Sequence, residues 1–201
     1  VAHLGILQVF IENKIPIDFI SGCSSGAIAA ALFATGSDMY LAGKLCASID
    51  VSSFIDITIP HYGFVKGKKA EELVNMLTKG KNFEDLTTPK LSVVACDMLK
   101  GECVALSSGN IARACHASFA IPGIFEPIET EDMMLIDGGV VTRIPVKEIK
   151  EMGAQYVIGV DVGYQGWGHK KPKNILEIMM NAFEMSDWQN TSRVYAECDV
   201  M

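Results

Sequence analysis

Five residues, Gly22-Cys23-Ser24-Ser25-Gly26, constrain this chain more than any others. A serine stands between two glycines where an apolar stretch gives way to an alanine-rich one, Ala27, Ala29, Ala30 and Ala31. A buried serine packs poorly and glycine weakens strand and helix alike, so packing alone does not account for the pattern. Ile17 to Ser21 reads as a short buried strand. From Ser25 onward, Ala27, Ile28, Ala31 and Leu32 form a helical face, with Gly36 as its stop. Strand, G-x-S-x-G, helix is the arrangement of a nucleophile elbow, whose turn is so tight that its neighbours must be small. Gly22 and Gly26 meet that demand. Ser24 would then stand near the positive end of a helix dipole, where a developing oxyanion is favoured. A plain glycine-rich turn, including one that binds phosphate, fits the same five residues.

The remaining pattern alternates helices with strands. Ala2 to Asn13 reads as a largely buried helix ended by Pro16, with Leu4, Leu7, Phe10 and Ile11 at helical spacing. Helices are also expected over Met39 to Ala47, over Ala70 to Leu77 with Gly80 as its stop, and over Ile111 to Ala120. Two more fall at Val146 to Met152 and from Ile175 to about Gln189. Strands are expected at Leu91 to Cys96, Cys103 to Leu106, Met134 to Ile136 and Tyr156 to Val160, and Tyr164 to Lys173 reads as a surface loop. The alternation predicts a single α/β layered domain over residues 1–201, with a mostly parallel central sheet flanked by helices.

Composition narrows the partners. The 201 residues carry a formal net charge of −7, which argues against nucleic acid, since phosphate binding needs a basic face. The six cysteines, Cys23, Cys46, Cys96, Cys103, Cys115 and Cys198, form no C-x-x-C pair. Zinc spacing is therefore absent, and free thiols in a reducing, cytoplasmic setting are the simpler expectation. No run of 18 apolar residues is present to cross a membrane.

A nucleophilic serine needs a base. Of four histidines, His3, His61, His116 and His169, the Ser–acid–His order of α/β-hydrolases nominates His169, and it sits in a polar loop beside Lys170 and Lys171. The acids are better placed. Asp97, Asp137 and Asp161 each end an apolar strand, at the rim where α/β sites are assembled. Asp137 alone precedes two glycines, Gly138 and Gly139, which let the backbone approach another segment closely. Asp97 and Asp161 read as loop caps. A carboxylate can act as a base when desolvation raises its low intrinsic pKa.

"GCSSGAIAAALFATG", "ASFAIPGIFEPI" and "LIDGGVVTRIPV", in that order, together with "AHLGIL" at the start, resemble the patatin-like phospholipases. The resemblance runs from Val1 to about Val162. It implies an α/β sheet carrying a Ser–Asp dyad without histidine, with Ser24 as nucleophile and Asp137 as base, and no metal or cofactor. Cys23, Ser25, Gly138 and Gly139, with Gly22 and Gly26, would shape the elbow and the oxyanion site. It also implies lipid or other acyl-ester substrates, with a possible transient contact at a membrane surface.

Two features depart from the family pattern. A glycine-rich G-G-G-x-[KR]-G segment, whose N–H groups form the oxyanion hole, is expected just before "AHLGIL", so the domain is expected to have its first strand and that loop upstream of Val1. Relatives often carry asparagine where Thr142 or Arg143 stands, which leaves open the polar support around Asp137. Met179, Met180 and Met185, with "FAIPGIF", fit an acyl pocket, a lipid-facing surface or plain core. Two other readings remain at this stage: a Ser24–Asp137–His169 esterase, and a non-catalytic binding or regulatory module on the same fold.

Overall fold

The structure, a computed structural model, describes residues 1–50, 55–58, 61–163 and 171–201. Its chain order begins with α1 (Ala2–Glu12), β1 (Phe19–Cys23), α2 (Ser25–Ala34), α3 (Met39–Ser48) and α4 (Lys68–Leu77). Then come β2 (Lys90–Asp97), β3 (Glu102–Leu106), α5 (Ile111–Phe119), β4 (Ile128–Glu129) and β5 (Met134–Asp137). The described chain closes with α6 (Val146–Glu151) and α7 (Ile175–Val194).

β2 organises the sheet because its interior is apolar on both faces and fully buried from Leu91 to Asp97. β1 lies parallel to it, with Cys23 opposite Val94. β3 and β5 lie antiparallel to it, with Asp97 opposite Glu102 on one and Ala95 opposite Asp137 on the other. β4 adds to β5. The sheet is thus mixed, and its parallel character resides in the β1–β2 pair. A turn as short as Met98–Gly101 can only join antiparallel strands. Alternation alone suggested more parallel pairing than this.

A strand has two hydrogen-bonding edges. β3 covers residues 93–97 of one edge of β2, so β1, which pairs with 90–94, and β5, which pairs with 95–97, share the other. They run toward each other and meet end to end. The C-terminal ends of β1 and β5 are therefore neighbours, although 114 residues separate Cys23 from Asp137.

Helices α2 and α5 cover the sheet. Ala27, Ala31, Ile111, Ala112 and Cys115 are fully buried with Val93 in the main core, where small side chains let α2 approach α5 closely. Leu4, Leu7, Leu32 and Met39 form a second cluster between α1, α2 and α3. Asp38, Asn110 and Asn174 cap α3, α5 and α7 by accepting from Leu41, Arg113 and Glu177 N–H. Gly36 and Gly80 follow their helices at φ of +73° and +66°, as expected of helix stops.

Three expectations shift. Tyr156 to Val160 is not a strand; its one ladder contact among the described residues is the bridge from Ile158 to Val200. α7 continues five residues past Gln189 to Val194; Thr191 Oγ1 there bonds to Asp187 one turn earlier, and Tyr195, just beyond the helix, reaches Asp161. Cys46 is exposed, while Cys23, Cys96 and Cys115 are buried; all six cysteines are unpaired. Among the described residues no helix is long and apolar enough to cross a membrane. Of the loop expected at Tyr164 to Lys173, residues 164–170, His169 included, lie outside the described residues.

Candidate active site

The chain turns from β1 into α2 on Ser24, whose φ of +52° and ψ of −121° are rare for a residue with a side chain. Such a conformation costs on the order of 1–3 kcal/mol and persists only where its surroundings fix it. Gly22 permits the turn: a Cβ there would lie 2.5 Å from the Gly26 carbonyl oxygen and 2.7 Å from Ala27 Cα. Gly26 differs. A Cβ on it would meet nothing closer than His3 Nε2 at 3.5 Å, an ordinary contact. The expectation that both glycines clear space therefore holds for Gly22 alone, because Gly26 supplies the backbone that Gly22 must avoid.

Ser24 N–H donates to Ser118 Oγ at 2.8 Å, and that hydroxyl donates onward to Val94 O at 2.6 Å. The first N–H groups of α2, beginning with Ser25, have no intrahelical acceptor and carry the positive end of the helix dipole. An anion forming on a group attached to Ser24 would be favoured there.

Asp137, the last residue of β5, is 2% exposed. Its Oδ2 accepts from Ser24 Oγ at 2.7 Å, and its Oδ1 accepts from Gly139 N–H at 2.8 Å. Cys23 Sγ lies 3.8 Å from the same Oδ1. Burial pushes the Asp137 carboxyl up to about 6, helped by the Asp187 charge and opposed by the bonds from Gly139, Ser24 and Cys23. Burial, reinforced by Asp137, holds the Cys23 thiol well above its usual range, so it stays neutral beside Ser24. Gly138 lets this turn press on β2: a Cβ there would sit 2.6 Å from Val94 O and 3.0 Å from Cys23 Sγ. A Cβ on Gly139 would meet Phe183 of α7 at 3.4 Å.

The other candidates fall away from this pair. Asp97 accepts from Leu99 N–H at 3.1 Å and Met134 N–H at 3.3 Å, so it caps a hairpin, as expected. Asp161 accepts from Gly163 N–H, which is loop capping, and also pairs with Arg143 Nη2 at 2.8 Å and accepts a hydrogen bond from the Tyr195 hydroxyl. Arg143 Nη1 reaches Asp187 Oδ2 at 2.6 Å, and Thr191 Oγ1 donates to Asp187 Oδ1 at 3.0 Å. Arg143 thus faces carboxylates 18 and 44 residues away, and no periodic signal in the sequence announces them. His61 packs edge-on against Tyr62, and His116 Nδ1 lies 2.5 Å from Glu71 Oε2. His3 lines the cavity at Ser24, and burial lowers its pKa.

That cavity measures about 860 Å³. Ser24 and Asp137 line it, with Ile121, Met180 and Phe183 as apolar lining, and Ile17 to Gly22 and Gln155 to Gly163 both contribute to its wall. Met179, beside Gly123, whose Cβ would be 3.2 Å from it, and Met185 are both exposed, while Met180 lines the cavity. Among the described residues no group of three or more His, Cys, Asp or Glu side chains is arranged to hold a metal ion.

A helix-capped serine elbow facing a buried carboxylate, on a mixed sheet between helices, defines an α/β protein of the serine-elbow type. The sequence profile of the patatin-like phospholipases matches residues 1–149, and the chain belongs to that family. It is 34% identical to an uncharacterized NTE family protein of Mycobacterium tuberculosis, over 72% of this chain and 25% of that protein. It is 29% identical to patatin-like phospholipase domain-containing protein 7 of Rattus norvegicus, over 81% of this chain and 12% of that one. Lysophospholipase NTE1 of Mycosarcoma maydis is also 29% identical, over 81% of this chain and 9% of that protein. The chain thus spans a quarter or less of these curated relatives. The crystal structure of VipD from Legionella pneumophila superposes with a TM-score of 0.61 at 13% identity, over 97% of this chain and 64% of that one, a likeness of fold.

Proposed function

We propose that this chain is the catalytic part of a lipid acyl-ester hydrolase, of phospholipase A, lysophospholipase or carboxylesterase type, working through a Ser24–Asp137 dyad. The 2.7 Å hydrogen bond from Ser24 Oγ to Asp137 Oδ2 carries the reading. Ser24 Oγ attacks the ester carbonyl carbon as Asp137 takes its proton, and the carbonyl oxygen becomes an oxyanion beside the N-terminus of α2. The tetrahedral species collapses, the C–O bond to the alcohol breaks, and Asp137 returns the proton to the departing oxygen. Water then gives its proton to Asp137 and attacks the acyl-enzyme. Ser24 Oγ leaves with that proton, and the fatty acid is released. A base near pKa 6 is matched to this shuttling at neutral pH, which an ordinary exposed aspartate is not.

Ile121, Met180 and Phe183 form the apolar wall offered to the acyl chain. The names phospholipase and lysophospholipase borne by two relatives favour a glycerophospholipid or its lyso form as substrate. Six unpaired thiols fit a reducing, cytoplasmic setting, and the net charge of −7 suits a neutral or zwitterionic ester better than a polyanion.

Among the described residues β1 pairs with β2 alone, and Ser21 Oγ is buried without a partner. The segment 157–159, which also lines the cavity, makes a single bridge among the described residues. β1 and 157–159 both line the cavity, and this favours a further strand seated beside β1, from a segment preceding Val1, which ends in the glycine-rich N–H donors. The acyl site is then the part of the cavity beside Met180 and Phe183.

A fluorophosphonate probe tests the nucleophile on the full-length protein. Labelling of wild type and none of Ser24→Ala is expected. Equal labelling of both removes Ser24, and labelling of neither favours the binding-module reading.

A further inference from the structure

Ser118 does more in this fold than fill a core position. It lies in the last turn of α5 and is fully buried. A serine inside a helix ordinarily returns its hydroxyl to a carbonyl one turn earlier on the same helix. Here the hydroxyl leaves its own helix and joins two strand ends. It accepts from Ser24 N–H at 2.8 Å and donates to Val94 O at 2.6 Å.

The register explains why. Cys23 opposite Val94 is the last paired position of the β1–β2 ladder. Ser24 is one residue further on, and its N–H is the donor that a continued ladder would offer to β2. The elbow rotates Ser24 to φ +52° and carries that N–H away. Ser118 Oγ occupies the gap, so a side-chain hydroxyl is spliced into the ladder where the backbone departs. A buried N–H left without an acceptor is rare and costly, so the splice is what lets the strained turn persist. The same Val94 carbonyl is the atom against which Gly138 packs, so the splice sits at the joint between the Ser24 and Asp137 strands.

We propose that Ser118 is a positioning residue: by holding the Ser24 N–H it fixes the aim of Ser24 Oγ at Asp137 and keeps that N–H from acting as an oxyanion donor. The proposal rests on Ser24 being the nucleophile. The oxyanion is left to the α2 side of the turn, beginning at Ser25 N–H, which points the substrate carbonyl away from β2. Misplacing a reacting group by about 1 Å costs on the order of 10² in rate.

The test compares Ser118→Ala with wild type as full-length protein, with turnover of a p-nitrophenyl ester counted per site titrated by fluorophosphonate. Expected are a kcat lowered about 10- to 100-fold, a KM within twofold, and faster hydrogen exchange at the Ser24 amide but not within β5. A merely structural serine would lower the fraction of folded protein and leave kcat per titrated site unchanged; that result, or an unchanged Ser24 amide, overturns the proposal. Ser118→Cys keeps a weak partner of similar size, and should fold if the alanine variant does not. Wild-type kcat in it overturns the proposal equally, and a lowered kcat with wild-type KM supports it. If wild type itself shows no Ser24-dependent turnover, the hydrolase reading fails, and the amide exchange still judges Ser118.

Discussion

Cys23 and Asp137 occupy successive positions along one edge of β2, opposite Val94 and Ala95. β1 arrives parallel and β5 antiparallel, so their C-terminal ends converge. The residue after Cys23 and the side chain of Asp137 are thereby delivered to each other across 113 residues of sequence. The register alone brings these two groups together, and the two glycine-bearing turns that follow decide whether they touch.

The first turn yields a contrast between two glycines. Gly22→Ala would place a methyl 2.5 Å from backbone that cannot move without unwinding α2, whereas Gly26→Ala meets only the end of His3 at 3.5 Å. Gly22→Ala is expected to lose fluorophosphonate labelling and to unfold more than 3 kcal/mol more easily, as overpacking against backbone does at its severe end. Gly26→Ala should fold within about 1 kcal/mol of wild type. Equal losses in the two variants, by denaturant titration, would show that the steric assignment is wrong.

The second turn sets a pH dependence. Burial holds Asp137 at about 6, and a base must be ionised to accept a proton. kcat/KM is therefore expected to fall as pH drops through about 6, with one ionisation on the acid limb. A profile flat down to pH 4.5 would exclude Asp137 as the base.

The same shift has a cost in stability. The folded-state pKa lies above that of an unfolded aspartate, so the native state holds the extra proton between roughly pH 4 and 6. Stability from this group is complete below about pH 4 and is lost as pH rises through about 6, by up to ~3 kcal/mol. Asp137→Asn has no such loss. It should be inactive yet more stable than wild type at pH 7.5, with the difference vanishing near pH 4. Urea midpoints at the two pH values give the comparison, and a variant less stable at pH 7.5 would contradict it.

These outcomes depend on features unequally visible in the chain. Ser24 and Asp137 were legible because each carries a local mark: small residues around the first, two glycines after the second, and an apolar strand before both. Helix stops at Gly36 and Gly80 were legible for the same reason, since a positive φ selects glycine locally. Tyr156 to Val160 misled because apolar residues mark burial, while a strand also needs a neighbour. β4, two residues long, offers no period to detect. Ser118 carried a weak signal, a lone hydroxyl in the buried run Ala114 to Ala120, but nothing local tells a spliced hydroxyl from a tolerated one. The partners of Arg143 carried none, because ion pairs between distant segments follow the fold rather than any spacing.

Those ion pairs give the last prediction. Arg143 holds Asp161 at 2.8 Å and Asp187 at 2.6 Å with side chains that are 3% and 8% exposed. Asp187 and Thr191 belong to α7, and Tyr195, which donates to Asp161, follows directly, so one guanidinium ties α7 to the segment after Asp137. Removing one partner of a buried pair leaves uncompensated charge and costs about 3–5 kcal/mol. Arg143→Met should therefore lower Tm by about 10 °C in a domain of this size. Arg143→Lys should recover less than half of that, because an ammonium cannot fork to two carboxylates. Adding Asp187→Asn to Arg143→Met should restore several degrees, since it removes one of the stranded charges. Thermal melts of wild type, Arg143→Met, Asp187→Asn and the double variant make the cycle, and strict additivity of the two substitutions would show that Arg143 and Asp187 do not act on each other.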